Sequence, residues 1–169
     1  HRFFRQIVPL LEKTGVGIAF ENLYDRHPND RLSKRFRNFG AMPEELCELV
    51  DKFDHPLVGA CWDTGHGHMQ GLPQGASIRM LGKRLKATHV HDNDGVKDQH
   101  LLPHYGTIDW PDTIRALRHI GYEGDFTYET HSAVAVLPDS QRDAALRLAY
   151  EIGDHLVNGS SRPGAGGVR

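Results

Sequence analysis

Thr88-His89-Val90-His91-Asp92-Asn93-Asp94 opens as a β-branched, partly apolar run and ends in a polar Asp-Asn-Asp sequence. Side chains alternate across a strand, so His89 and His91 share one face, and His91 stands nearest the strand's exit. A strand that ends in an imidazole has the layout of a parallel β/α unit, whose binding residues gather at the carboxyl ends of the strands. The layout recurs on both sides of this stretch. Upstream, Gly17-Ile18-Ala19-Phe20 runs into Glu21-Asn22, and a second apolar run ends in Trp62-Asp63-Thr64-Gly65-His66. Downstream, a short run ends in Tyr128-Glu129-Thr130-His131.

The runs at 16–20, 57–62, 87–91 and 126–128 are therefore read as strands. Leu46, Leu49, Val50 and Phe53, then Ile114, Leu117 and Ile120, and finally Ala145, Leu148, Ile152 and Leu156 recur at helical period between and after them. Pro43 and Pro111 sit where first turns begin, Asp109 is placed to cap, and Gly121 follows the last periodic residue of its helix. Strands alternating with helices leave two architectures, an open doubly wound sheet and a barrel. Glu21, Asp63, His91 and Glu129 each lie at or just beyond the end of a successive strand. A barrel directs every strand end toward a common axis, whereas an open sheet gathers its site at a switch point.

The expectation is an α/β fold, the C-terminal half of a (β/α)8 TIM barrel with about four β/α units. A whole barrel takes ~250 residues, and this chain has 169. Residues 3–13 read as a helix entering from preceding sequence. Residues 1–157 form one domain, and the Gly/Ser/Pro-rich tail, 158–169, is expected to be disordered. Half a barrel carries two open sheet edges and much apolar surface, so self-association or poor solubility is expected, and a homo-oligomer is compatible with the chain.

An apolar content of 38% and a charged content of 25% belong to an ordinary globular chain. A formal charge of -2 gives no electrostatic footprint for nucleic acid or a membrane surface. No apolar run approaches the ~20 residues that span a bilayer. Cys47 and Cys61 have neither metal-ligand spacing nor disulfide density, which suits a reducing cytoplasm. Histidine is the outlier at 12 residues, eight of them between His66 and His131. Clustering at the ends of apolar runs points to metal or acid/base chemistry.

Each candidate also has a plain reading. Glu21 could simply start a loop, Asp63 could cap a helix beside a surface His66, and His89 could be a satisfied interior histidine. The conjunction favours a site, because independent placements at successive strand ends rarely coincide. Of the two strand histidines, His91 is read as the ligand. Three carboxylates and one imidazole make a mainly oxygen-donor set, suited to Mn²⁺ or Mg²⁺ more than to a structural zinc, with Co²⁺ and Zn²⁺ still open.

The motifs Ile18-Ala19-Phe20-Glu21-Asn22, Trp62-Asp63-Thr64-Gly65-His66, His89-Val90-His91-Asp92-Asn93 and Tyr128-Glu129 resemble the xylose isomerase-like barrel superfamily, especially its sugar phosphate isomerase/epimerase branch. The resemblance covers residues 10–157. It implies one divalent metal, Mn²⁺ foremost, on Glu21, Asp63, His91 and Glu129, and a sugar or sugar phosphate substrate converted through an enediolate. It further implies Glu21 and Glu129 as an acid/base pair and His66 as a hydrogen-bond partner of substrate oxygen. Lys97 occupies the place where the epimerases carry a substrate-binding arginine. An inosose dehydratase-like lyase would use the same site, and a non-catalytic fragment would keep it without turnover.

Asp98-Gln99-His100 also resembles endonuclease IV, where Asp-x-His binds additional zinc; with His66 it would complete a polynuclear site for phosphodiester cleavage. The slightly acidic chain lacks the basic face that DNA demands, so ordering the loop or touching substrate is the favoured role of Asp98 and His100, with a second metal as the alternative. Arg26, Arg31, Lys34, Arg35 and Arg37 form a charged segment, read as solvated loop or as a lid whose cations meet substrate.

Overall fold

The structure, a computed structural model, describes residues 3–25 and 38–159. The charged segment with Arg26, Arg31, Lys34, Arg35 and Arg37 lies outside the described residues, as do residues 160–169 of the expected tail. Strands β1 (Ile18–Glu21), β2 (Val58–Asp63), β3 (Leu85–Val90) and β4 (Phe126–Tyr128) form one parallel sheet in the order β1-β2-β3-β4. Sequence neighbours are spatial neighbours throughout. The order never reverses, so the sheet has no switch point and follows the barrel progression. It is half a barrel.

Among the described residues the helices are α1 (Val8–Thr14), α2 (Pro43–Asp51), α3 (Thr64–Met69), α4 (Gln74–Leu81), α5 (Trp110–His119), α6 (His131–Ala135) and α7 (Asp139–Asn158), with 3-10 turns at Phe4–Ile7, leading into α1, and at Gly82–Arg84, leading into β3. The punctuation works as read. Pro43 opens α2 with Glu44 and Glu45 at its positive end, and the Asp109 side chain accepts from Asp112 N to start α5. Gly15 stops α1 in the left-handed conformation, φ 70°. Helix α3 escapes periodicity because Thr-Gly-His-Gly-His-Met is a poor helical sequence. The cap nucleates α3, since Asp63 Oδ1 accepts from His66 N at 2.7 Å. Asn158 is still helical, and α7 thus runs one residue into the expected tail.

Strand register sorts the two faces. Ala19 pairs with Gly59 and Glu21 with Cys61; Cys61 pairs with Ala87, Asp63 with His89, and His89 with Thr127. These residues share the face away from the helices. The opposite face carries Phe20, Ala60, Trp62, Val90, Phe126 and Tyr128, which pack with Leu46, Ile78, Leu81, Trp110, Ile114 and Leu117 from the helices. Trp62 is fully buried, and such large apolar side chains stabilise by ~1.5–3 kcal/mol each. One face therefore holds the fold while the other is free for chemistry. Among the described residues, no helix is long and apolar enough to cross a membrane.

Candidate metal centre

Glu21 closes β1, Asp63 closes β2, and His91 and Glu129 follow immediately on β3 and β4. Buried polar side chains lash these exits together. Asn22 Nδ2 donates to Asp63 O at 3.0 Å and Asn22 Oδ1 accepts from Asp63 N at 2.6 Å, which fixes the β1 exit to the β2 exit. Thr64 Oγ1 donates to His91 O at 2.7 Å and accepts from His91 N at 3.1 Å, joining the β2 exit to β3. Glu129 N donates to Val90 O at 3.0 Å, joining β3 to β4. Behind them Gln74 accepts from Trp62 Nε1 at 2.8 Å and donates to Thr64 O at 2.7 Å.

The side chains converge in overlapping donor groups, each with its atoms within 4.8 Å: Glu21, Asp63, His89 and Glu129; Asp63, His66 and His91; and His91, His100 and Glu129. Glu21, Asp63 and Glu129 thus meet around His89, and His91 lies in the two adjoining groups. His89 Nδ1 is 3.3 Å from both Glu21 Oε2 and Glu129 Oε1. His91 is fully buried, with Nε2 3.0 Å from Asp63 Oδ1. Neither ring nitrogen of His91 makes a hydrogen bond, and Asp63 Oδ2, Asp98 Oδ1 and His89 Nδ1 are also buried without one. Buried polar atoms are normally satisfied, so unpaired carboxylate oxygens gathered beside imidazole nitrogens that can each offer a lone pair in one tautomer fit a cation as the missing partner.

Electrostatics agree with a site built for positive charge. Burial raises the Asp63 carboxyl, but the His91 and His66 imidazoles beside it more than offset this, and the group ends below its ordinary value. Glu21 behaves alike: burial pushes it up, and a hydrogen bond from His66 with the nearby His89 brings it down. His66 would be lowered by burial, yet Glu21, Asp63 and the Asn22 carbonyl push it up to about 9. Its Nδ1 lies 2.9 Å from Asn22 O and 3.3 Å from Glu21 Oε1.

Asp98 and His100 arrive on an arm, residues 92–110, that folds back over the strand exits. Asp98 Oδ2 lies 3.7 Å from His66 Nε2 and 3.5 Å from His100 Nε2, and it accepts from Tyr24 OH at 3.4 Å. The His100 ring stacks on His91 with centroids 4.0 Å apart, and its Nδ1 lies 2.7 Å from Glu129 O. A carbonyl only accepts, so this Nδ1 carries a proton and Nε2 turns toward Asp98. His100 and His104 have φ of 51° and 75°, a left-handed backbone that costs a non-glycine residue ~1–2 kcal/mol. Lys97 is placed differently. It is exposed in the turn where Asp94 Oδ1 accepts from Val96 N and Lys97 N, and among the described residues no polar contact joins its ammonium to the cluster.

Several positioning residues are not among the candidate ligands. Asn22, Thr64 and Gln74 look like ordinary polar residues, and only their burial shows their work. Gly65 is another: a Cβ there would lie 1.8 Å from His91 Cε1, so the imidazole rests directly on the first turn of α3. The neighbouring Trp-Asp-Thr-Gly run was the available signal.

The xylose isomerase-like TIM barrel family model matches residues 2–152, and the chain belongs to that family. An uncharacterized protein of Methanocaldococcus jannaschii is 32% identical over 127 residues, covering 73% of this chain and 40% of that protein. A D-psicose 3-epimerase of Enterocloster bolteae is 30% identical over 81 residues, covering 48% of this chain and 25% of the relative. The crystal structure of a D-tagatose 3-epimerase-like protein superposes with a TM-score of 0.65 and 27% identity, covering 94% of this chain and 54% of that one. The chain thus spans about half or less of the length of these relatives.

Proposed function

We propose that this member of the xylose isomerase-like family binds one divalent cation, Mn²⁺ foremost, on Glu21, Asp63, His91 and Glu129, and isomerises or epimerises a monosaccharide or its phosphate. The observation that carries the reading is the convergence of donors from successive strand exits, with Asp63 and His91 among them buried and unpaired. The likeness to a D-psicose 3-epimerase supports the reaction class. When bound, the cation supplies Lewis-acid polarisation of a carbonyl and its neighbouring hydroxyl.

The chain's own groups do the proton work. Glu21 and Glu129 reach the site from the two edge strands and meet at His89. One carboxylate takes the proton from the carbon beside the carbonyl, and the other returns one to the opposite face. His66, held by Asn22 O and Glu21, donates to a substrate oxygen, and Lys97 would have to turn inward to join it. Asp98 and His100 contact substrate from the arm or hold a second cation with His66, as their convergence on one carboxylate supports.

Elemental analysis of the purified chain against a Glu21→Gln/Glu129→Gln double variant tests the reading. Stoichiometric Mn, Co, Mg or Zn that the variant loses is the expected result, and absence of metal from both refutes it. Product mass then separates epimerisation, which conserves it, from dehydration.

A further inference from the structure

Asp92 belongs to no donor group, yet it is fully buried one residue from His91. A buried carboxylate is tolerated only when its lone pairs are satisfied. Those of Asp92 are satisfied by the arm itself. Oδ1 accepts from Asn93 N at 2.9 Å and Ile108 N at 3.1 Å, and Oδ2 accepts from His104 N at 3.0 Å and Trp110 Nε1 at 2.8 Å. The Asp92 main chain adds a reciprocal pair with Leu101, at 2.8 and 2.9 Å.

These partners bracket the arm's load. Leu101 is bonded on both sides and adjoins the left-handed His100, and the left-handed His104 is bonded through its own N–H. Strained backbone persists only where its surroundings over-determine it, and here Asp92 supplies the determination at both places. Gly106 completes the fit, because a Cβ there would lie 2.3 Å from Asp92 Oδ1 and 2.4 Å from Asn93 O. None of the four donors to the carboxylate comes from a strand, so its bonds serve the arm and the start of α5.

We propose that Asp92 is a positioning residue: its buried carboxylate holds the 92–110 arm in the arrangement that brings Asp98 and His100 onto the strand-end donors. The site is then built of two separable parts, a strand-borne part carrying Glu21, Asp63, His91 and Glu129 and an arm-borne part that Asp92 sets in place. The proposal deepens the metal-site reading, on which the purpose of the arm rests, while the positioning itself is readable without any metal.

The test is nitrogen NMR of the imidazole rings in the full chain, kept metal-free with a chelator at a pH where free imidazole is neutral, comparing Asp92→Asn with the parent. Asn puts an NH2 where one oxygen received two N–H groups. The expected result is selective: the Nδ1–H signal of His100, held by Glu129 O, is lost, while that of His66, held by Asn22 O, persists. An unchanged His100 signal overturns the proposal, and so does simultaneous loss of both signals, which would mark Asp92 as a general stability residue. If Asp92→Asn does not fold, Gly106→Ala is read in the same way, since it forces the arm off an intact Asp92. Because the readout needs no ion and no substrate, a chain without metal in the elemental analysis would sink the metal reading and leave this result standing.

Discussion

Replacing Gly65 by alanine should damage the site more than the fold. The new Cβ would stand 1.8 Å from His91 Cε1, 2.3 Å from Nδ1 and 2.4 Å from Nε2, far inside contact distance. Neither partner can easily give way. His91 is fully buried and anchored through Thr64, and the first turn of α3 is pinned by Asp63 Oδ1 on His66 N and by Asn93 Nδ2 on Gly65 O at 3.0 Å. Overpacking of this kind costs ~1–3 kcal/mol, and for a chain of this size each kcal/mol lowers the melting temperature by ~2–4 °C. A drop of roughly 2–12 °C is expected. Displacing the imidazole should weaken Mn²⁺ or Co²⁺ binding by at least ~10–100-fold, the scale on which lesser disturbances around metal ligands act. Gly71→Ala is the control: φ is 73°, nothing lies within 4 Å of its Cβ, and only left-handed backbone strain of ~1–2 kcal/mol is added, with no effect expected on metal binding. Thermal melts and calorimetric metal titrations of both variants decide the matter. Gly65→Ala melting within about a degree of the parent and binding metal equally would refute the steric argument.

Other expectations follow from the polar lashings and the buried thiol. Gln74→Leu leaves Trp62 Nε1 unpaired in the core and should cost ~1–3 kcal/mol, read by urea denaturation. Asn22→Ala unfastens the β1 and β2 exits; metal affinity should fall while the helical circular dichroism is retained, and an unaltered affinity would contradict the role given to Asn22. Burial, with Glu21, Asp63 and Glu129 nearby, pushes the Cys61 thiol up to about 12, so a thiol reagent at neutral pH should modify the native protein there far more slowly than after unfolding. The same thiol favours the folded state in full below its ordinary 9.0, and that contribution is lost as pH rises from there through about 12. Cys61→Ala should accordingly flatten the alkaline limb of a stability-against-pH curve.

Strand exits were legible because apolar runs ending in Glu21, Asp63, His91 and Glu129 combine two signals, burial followed by chemistry. Helices α2, α5 and α7 announce themselves through period, α2 and α5 also through Pro43, Pro111 and the Asp109 cap, whereas α3 does not, because its stability comes from the Asp63 cap and from packing against β3 rather than from propensity. Asp63 had two readings, helix cap and site carboxylate; Oδ1 is seen to cap α3, and Oδ2, buried without a hydrogen bond, is the atom the proposed metal site would use. The neighbourhood of His89, placed by the register between Glu21 and Glu129, depends on strand pairing that no local pattern encodes. Asp92 was hidden for a similar reason, since its partners lie up to Trp110 along the chain.

The two-faced sheet separates what must be kept from what can be changed. Along β2 and β3, alternate residues are answerable to different constraints: Trp62 and Val90 to the helices behind them, Asp63 and His89 to whatever occupies the mouth. The two sets are coupled only through the backbone, so a substitution on the mouth side, as in Asp63→Asn, should alter metal binding while leaving the packing of Trp62 and Val90 behind it intact.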